Sequence, residues 1–266
     1  MKNVRTYYIF LILFLLVDCA KVPISGRKQV NLLPESDMIA MSLTQYNGFL
    51  EENKVVKGNQ NAEMVKRVGH KIANAVEKFL KKNGQTKRYE GFKWEFNLVE
   101  DPSVNAWCMP GGKVVFYTGI LPYTKDEAGL AVVMGHEIAH AIARHGNERM
   151  SQSMLVELGG TTLSALTAEQ SKTAQSLFLS AYGVGSTLGT LAYSRKHESE
   201  ADKMGLVFMA MAGYDPREAP EFWKRMAKSG GQKPPEFLST HPSDQTRIND
   251  LNNYMPKALS YYNPTQ

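Results

Sequence analysis

A chain of 266 residues, 43% hydrophobic and 21% charged, has ordinary globular composition and enough length for one large domain, which argues against disorder. The formal charge of +5 drops to +4 without Lys2, Arg5 and Asp18 of the N-terminal segment, and no run of five like charges occurs, so no nucleic-acid partner is expected. Two cysteines, Cys19 and Cys108, make no disulfide framework, and Cys108 in its apolar stretch is expected to be a small core residue.

Lys2 and Arg5 precede an unbroken apolar run from Tyr7 to Val17, shorter than the roughly 20 residues that span a bilayer. Residues 1–18 read as a secretory signal peptide, with a short uncleaved membrane anchor as the alternative. Leu16-Val17-Asp18-Cys19 resembles the bacterial lipobox, whose cysteine is acylated and becomes the new N-terminus. Asp18 departs from that pattern, where a small residue is usual. Ala20 resembles the second residue of outer-membrane lipoproteins. The expectation is a protein on the periplasmic side of the bacterial outer membrane, held to the membrane by a lipid anchor on Cys19.

Residues 19–34, with Pro23, Gly26 and Pro34, read as a tether, and 35–260 as a single domain. Helices are predicted from about Glu35 to Glu51 and from Asn61 to Asn83. The second carries Met64, Val68, Ile72, Val76 and Phe79 at helical spacing, with Gly84 as its stop. Alternation of Phe92, Trp94, Phe96 and Leu98 predicts a strand with one buried face, Pro110-Gly111-Gly112 a turn, and Lys113 to Thr118 a further strand. Beyond Leu121 the chain reads as helical, apart from a loop around 230–240. The uncharged stretch 176–194, with Gly185 and Gly189, reads as a close-packed buried helix rather than a membrane span. The fold class is mainly α with a small β-sheet (α+β).

The chemistry begins at His136-Glu137-Ile138-Ala139-His140. Thr124 and Glu127 have capping-box spacing ahead of an apolar run, and Gly146 reads as its stop, so the motif sits inside a helix. At 100° per residue, His136 and His140 lie about 40° apart on one face and can grip one Zn²⁺ ion. Glu137 projects beside them, placed to act as a general base without being a ligand. His145, nine residues after His136, would lie on the opposite side of an unbroken helix and is not expected to reach the ion.

The third ligand must come from a later element, and Ser194-Arg195-Lys196-His197-Glu198-Ser199-Glu200-Ala201-Asp202 supplies it. Glu198 and Asp202 are one turn apart on a face shared with Gly205 and Met209, whereas Glu200 points about 200° away, toward lysines and solvent. Glu198 is therefore assigned as the ligand. Asp202 reads as the carboxylate that orients a ligand histidine, with a surface ion pair as its alternative. Two histidines and a glutamate leave a fourth tetrahedral position open, the pattern of a catalytic zinc site with one ion per chain.

These motifs together resemble the zinc peptidases of the CAAX-protease and HtpX type, closest to bacterial periplasmic lipoprotein members, over about Val22 to Tyr254. The resemblance implies a gluzincin-type metallopeptidase domain and internal peptide-bond hydrolysis, with unfolded or extended polypeptides as substrates. It likens Asn105 to Gly112 to an edge strand above the zinc that binds substrate backbone, against the alternative of an ordinary hairpin. It likens Thr240-His241-Pro242-Ser243 to a late loop whose histidine either fills the fourth zinc position at rest or donates to the oxyanion. Arg247 would assist, or serve as a surface residue. The function implied is cleavage of misfolded or misassembled cell-envelope proteins. The alternative is a lipid-anchored, chaperone-like assembly factor whose zinc is blocked by His241. The resemblance implies a C-terminal helical-repeat domain in barrel-associated members, which is not expected here after Gln266, so the outer-membrane assembly machinery is a candidate partner only.

Overall fold

The computed structural model describes residues 21–157, 194–228, 236–241 and 245–264. The predicted Gly185/Gly189 helix, the signal segment and Cys19 lie outside the described residues. Helix α1 (Glu35–Glu52) leads through β1 (Val55–Val56) into α2 (Gln60–Lys82), close to the two helices expected. Asn59 caps α2 by accepting a hydrogen bond from the Ala62 N–H, and the α2 face bearing Val65, Val68, Ile72 and Val76 is buried.

Strands β2 (Glu95–Val99), β3 (Ala106–Met109) and β4 (Lys113–Tyr117) join β1 in one sheet of order β1-β2-β4-β3. β2 and β4 run parallel, while β1 and β3 are antiparallel edge strands. The predicted strand begins only at Glu95; Phe92 and Trp94 lie in its lead-in. Both sheet faces are covered, so alternation along β4 separates two cores rather than core from water. Val114 and Phe116 face the main core with α2 and the metal helices. Val115 and Tyr117 face a smaller cluster with Trp107 of β3, Met38 and Tyr46 of α1 and Met150. Cys108 is buried in the main core, as expected.

A short helix α3 (Leu121–Thr124) precedes the apolar α4 (Glu127–Ala143). The predicted capping box does not form. Lys125 takes a left-handed φ of 66°, Thr124 turns its hydroxyl back to donate to the Leu121 carbonyl, and Asp126 caps α4 by accepting from the Gly129 N–H. Glu127 instead accepts hydrogen bonds from Arg67 and the Tyr214 hydroxyl. α4 ends at Ala143 rather than at Gly146, because Arg144 caps it in the left-handed region (φ 59°, ψ 36°) and α5 (His145–Glu157) sets off in a new direction.

The remaining described elements are α6 (Arg195–Met211), α7 (Glu218–Lys228), α8 (Glu236–Thr240) and α9 (Gln245–Leu259). Among the described residues, no helix is long and apolar enough to cross a membrane. α4 and α6 cross backbone to backbone. A Cβ added at Gly135 would stand 2.9 Å from the Gly205 carbonyl oxygen, and one at Gly205 would stand 2.9 Å from the His136 amide nitrogen. Only glycine permits this approach, and it presses the His136 turn against the helix that carries Glu198 and Asp202.

Candidate metal centre

Four buried side chains from three parts of the chain converge: His136 and His140 from α4, Glu198 from the first turn of α6, and His241 just after α8. Their candidate ligand atoms all lie within 4.8 Å of one another. His136 Nε2 is 3.1 Å from His140 Nε2 and 3.1 Å from His241 Nδ1. Glu198 Oε1 is 3.0 Å from His241 Nδ1 and 3.3 Å from His140 Nε2. Ligands at about 2.0–2.1 Å from a tetrahedral zinc stand about 3.3–3.4 Å apart, so the four atoms already have the spacing of one coordination shell. The fourth corner, expected to be open, is therefore faced by His241.

Charge makes the same demand. His136 Nδ1 is 3.0 Å from Asp202 Oδ1, to which its N–H donates, so its Nε2 turns a lone pair toward two other imidazole nitrogens. Burial works against charge on His136, but Glu198 and Asp202 outweigh it and raise the imidazole above its ordinary value, so without a metal ion a proton takes the place that the Nε2 lone pair otherwise offers to a cation. Burial also opposes the Glu198 carboxylate, yet His241 and His136 hold it well below its usual range. Such a pocket calls for a cation at the point where the lone pairs meet, and three imidazoles with one carboxylate are a donor set suited to zinc.

Glu137 lies beside this set. Its Oε1 is buried and accepts no hydrogen bond among the described residues, and it stands 3.5 Å from His241 Nε2. Burial raises its pKa, with His241 and His136 pulling it partly back. Burial pushes the Cys108 thiol up, and the Glu137 charge adds to it; edge strand β3, which carries Cys108, packs against α4.

The sequence left Arg247 undecided, and the structure buries it at the centre. Its guanidinium donates to Asp202 Oδ1 at 2.6 Å and to the His241 carbonyl at 3.3 Å, and lies 3.2 Å from Glu198 Oε2. It stacks on Trp223, 3.3 Å from the ring centroid. Trp223 of α7 in turn stacks on Phe237 of α8, whose amide donates to the Val104 carbonyl just before β3. Asp202 is thus no surface ion pair: it orients His136 and is itself gripped by Arg247. Asn105, expected to bind substrate, is buried at the start of β3, where its Oδ1 accepts from the Ala106 N–H. Gly112 sits in the β3–β4 turn with φ +78°, where a Cβ would strike Trp94.

Three expectations are corrected. Glu200 does not face solvent. α6 is covered on that side too, and Glu200 accepts from His145 Nε2 at 2.9 Å, from Arg27 Nε at 2.9 Å and from the Ser25 hydroxyl. The helical-wheel argument for His145 also fails, because the turn at Arg144 swings it back until its Nδ1 is 2.9 Å from His140 Nδ1. It is not among the four residues whose ligand atoms converge. Burial pushes the His145 imidazole down to about 4, so it is neutral near pH 7. The residues taken for a tether are docked: Val22, Gln29 and Leu33 are buried and Arg27 forks onto Glu148 at 2.6 and 2.7 Å.

Burial opposes the Glu148 carboxylate, but hydrogen bonds from Arg27 and His197 hold it at about 2, below its ordinary 4.5. A depressed carboxylate contributes stability above its unfolded pKa and loses it as pH falls toward its folded value. The thermal midpoint is therefore expected to fall between about pH 4.5 and pH 2, and Glu148→Gln to flatten the profile in that window. Parallel profiles for the two proteins would contradict this.

The model of peptidase family M48 matches residues 59–255. The mitochondrial metalloendopeptidase OMA1 of Arabidopsis thaliana is 38% identical over 198 residues, covering 73% of this chain and 39% of that relative. The human mitochondrial metalloendopeptidase OMA1 is 30% identical over 266 residues, 97% of this chain and 50% of the relative. The putative beta-barrel assembly-enhancing protease of Vibrio cholerae is 35% identical over 163 residues, 58% of this chain and 33% of the relative. The likeness expected to bacterial envelope proteins thus extends to mitochondrial ones. The chain spans about half the length of the curated relatives it matches.

Proposed function

Since the chain belongs to peptidase family M48, we propose that it is a zinc-dependent endopeptidase, with His136, His140 and Glu198 as metal ligands and Glu137 as general base. The observation that carries this reading is the shared shell of four buried donors, with a buried Glu137 carboxylate oxygen beside it that accepts no hydrogen bond among the described residues. A zinc ion held there supplies Lewis acidity, which polarises a peptide carbonyl and acidifies water. Glu137 takes the proton of the attacking water and delivers it to the leaving amine, a role suited to a carboxylate whose pKa burial has raised. Asp202 and Arg247 keep His136 in one tautomer and orientation. Edge strand β3, within the segment from Asn105 to Gly112 and packed against α4, is the element that would pair with an extended substrate backbone.

The substrates proposed are unfolded or misassembled polypeptides of the cell envelope, met by a protein anchored through Cys19 on the periplasmic side of the outer membrane. The basic, apolar and cysteine-ended N-terminus and the relatedness to a putative beta-barrel assembly-enhancing protease support that setting. A partner in the outer-membrane assembly machinery fits the same setting.

His241 gives a second reading a foothold, because with Nδ1 in the ligand shell it blocks the corner a substrate needs. In a gated enzyme His241→Ala opens that corner. The variant is expected to keep zinc on the other three ligands and to cleave an unfolded substrate up to about tenfold faster than wild type, in a chelator-sensitive manner. A loss of cleavage would instead make His241 a transition-state donor. Cleavage by neither protein would favour the non-enzymatic assembly factor.

A further inference from the structure

The segment at residues 21–33 is fastened to the metal helices at several points. Gln29 Nε2 donates to the carbonyl of Ala143, the last residue of α4, at 2.8 Å, and Arg88 Nη1 donates to Gln29 Oε1 at 3.0 Å. The Leu32 amide donates to Ser151 Oγ at 2.9 Å, and Asn147 Nδ2 donates to the Leu33 carbonyl at 2.9 Å. Arg27 stands at the middle of this strap. Around its guanidinium lie two carboxylates, Glu148 and Glu200, and beyond them two stacked imidazoles, His145 and His197, with centroids 4.5 Å apart. The cation of this second histidine and carboxylate cluster is an arginine from the N-terminal strap.

We propose that Arg27 is a positioning residue for the metal centre, acting on His140 through Glu200 and His145; this rests on the reading of the site as a zinc centre. The argument runs along the hydrogen bonds. An ionised Glu200 can only accept, so His145 must donate to it from Nε2. His140 Nε2 faces the other candidate ligands, so as a ligand His140 keeps its proton on Nδ1 and donates it to His145 Nδ1 at 2.9 Å. His140 Nε2 is thereby left with its lone pair aimed at the ligand set, the tautomer a metal ligand requires. Arg27 Nε and the Ser25 hydroxyl fix the Glu200 carboxylate in the orientation that starts this chain. His136 is held by the same design in shorter form: Asp202 accepts from its Nδ1, and Arg247 grips Asp202. Glu198, Glu200 and Asp202 thus divide the labour of one helix: ligand, support for His140 and support for His136.

The test uses the full chain and compares wild type, Arg27→Met, Arg27→Lys and Glu200→Gln. Zinc affinity is read by chelator competition, the visible spectrum after cobalt substitution, and the thermal midpoint of the metal-free protein. Arg27→Met and Glu200→Gln are each expected to weaken zinc about 10–100-fold and to alter the cobalt bands. Arg27→Lys, a point charge without the fork, falls between Met and wild type. The Arg27→Met/Glu200→Gln double variant should lose no more than Glu200→Gln alone, because the two act in one chain. Should Arg27→Met fail to fold, Glu200→Gln carries the same expectation. Wild-type affinity and cobalt spectrum in the folded variants, with only a lower thermal midpoint, would make Arg27 a fold-stabilising residue and overturn the proposal. A wild-type chain that takes up no zinc would overturn the metal reading and this link together.

Discussion

Replacing Glu137 with Gln is expected to slow peptide cleavage about 10²–10⁴-fold while zinc content stays at the wild-type level. The two halves of that expectation come from one geometry. Glu137 follows His136 directly on α4, yet the four atoms that share the ligand spacing belong to His136, His140, Glu198 and His241. Glu137 stands next to them with a buried oxygen that no described group satisfies. A buried carboxylate oxygen without a hydrogen bond costs stability, and the cost is reasonable only where the group has a proton to take. An amide keeps the shape and cannot serve as the base. Cleavage retained by Glu137→Gln would remove Glu137 from the reaction; loss of zinc along with activity would make it a ligand instead.

Glu198→Ala is expected to act on the metal itself. Zinc binding worth about 10–16 kcal/mol over four ligands assigns about 3 kcal/mol to each, so affinity should drop about 10²-fold or more. The structure predicts an additional penalty. Glu198 is the one carboxylate of the shell, and it also lies 3.2 Å from the buried Arg247, so its removal takes from that guanidinium one of its two carboxylate neighbours. Chelator competition on the folded variant, with circular dichroism to verify the fold, reads the effect. Undiminished affinity would reassign the third ligand.

The convergence of His136, His140 and Glu198 was legible because helical geometry is local. His136 and His140 are one turn apart within α4, and the choice of Glu198 needs only the first turn of α6. What failed depended on tertiary context. The wheel that sent Glu200 to solvent assumed a helix with one wet face, whereas α6 is enclosed by α4 on one side and the N-terminal strap on the other. The wheel for His145 assumed an unbroken helix, and no glycine or proline announces the left-handed turn at Arg144. Asp126 took the cap from Thr124 because a positive φ at Lys125 moved the helix start by two residues. Arg27, among polar residues and next to Gly26, carries no periodic signal at all; its partners Glu148 and Glu200 are 121 and 173 residues away. Of the fold, α1, α2 and the small sheet were readable from periodicity, but the sheet order, with β2 beside β4, is a long-range fact that no local pattern encodes.

X-ray absorption at the zinc edge of the metal-loaded full chain tests the central claim most directly. Three imidazoles and one carboxylate oxygen at about 2.0–2.1 Å, with no sulfur, are the predicted shell. A shell containing sulfur, one with fewer than two imidazoles, or a folded chain that holds no zinc would contradict it.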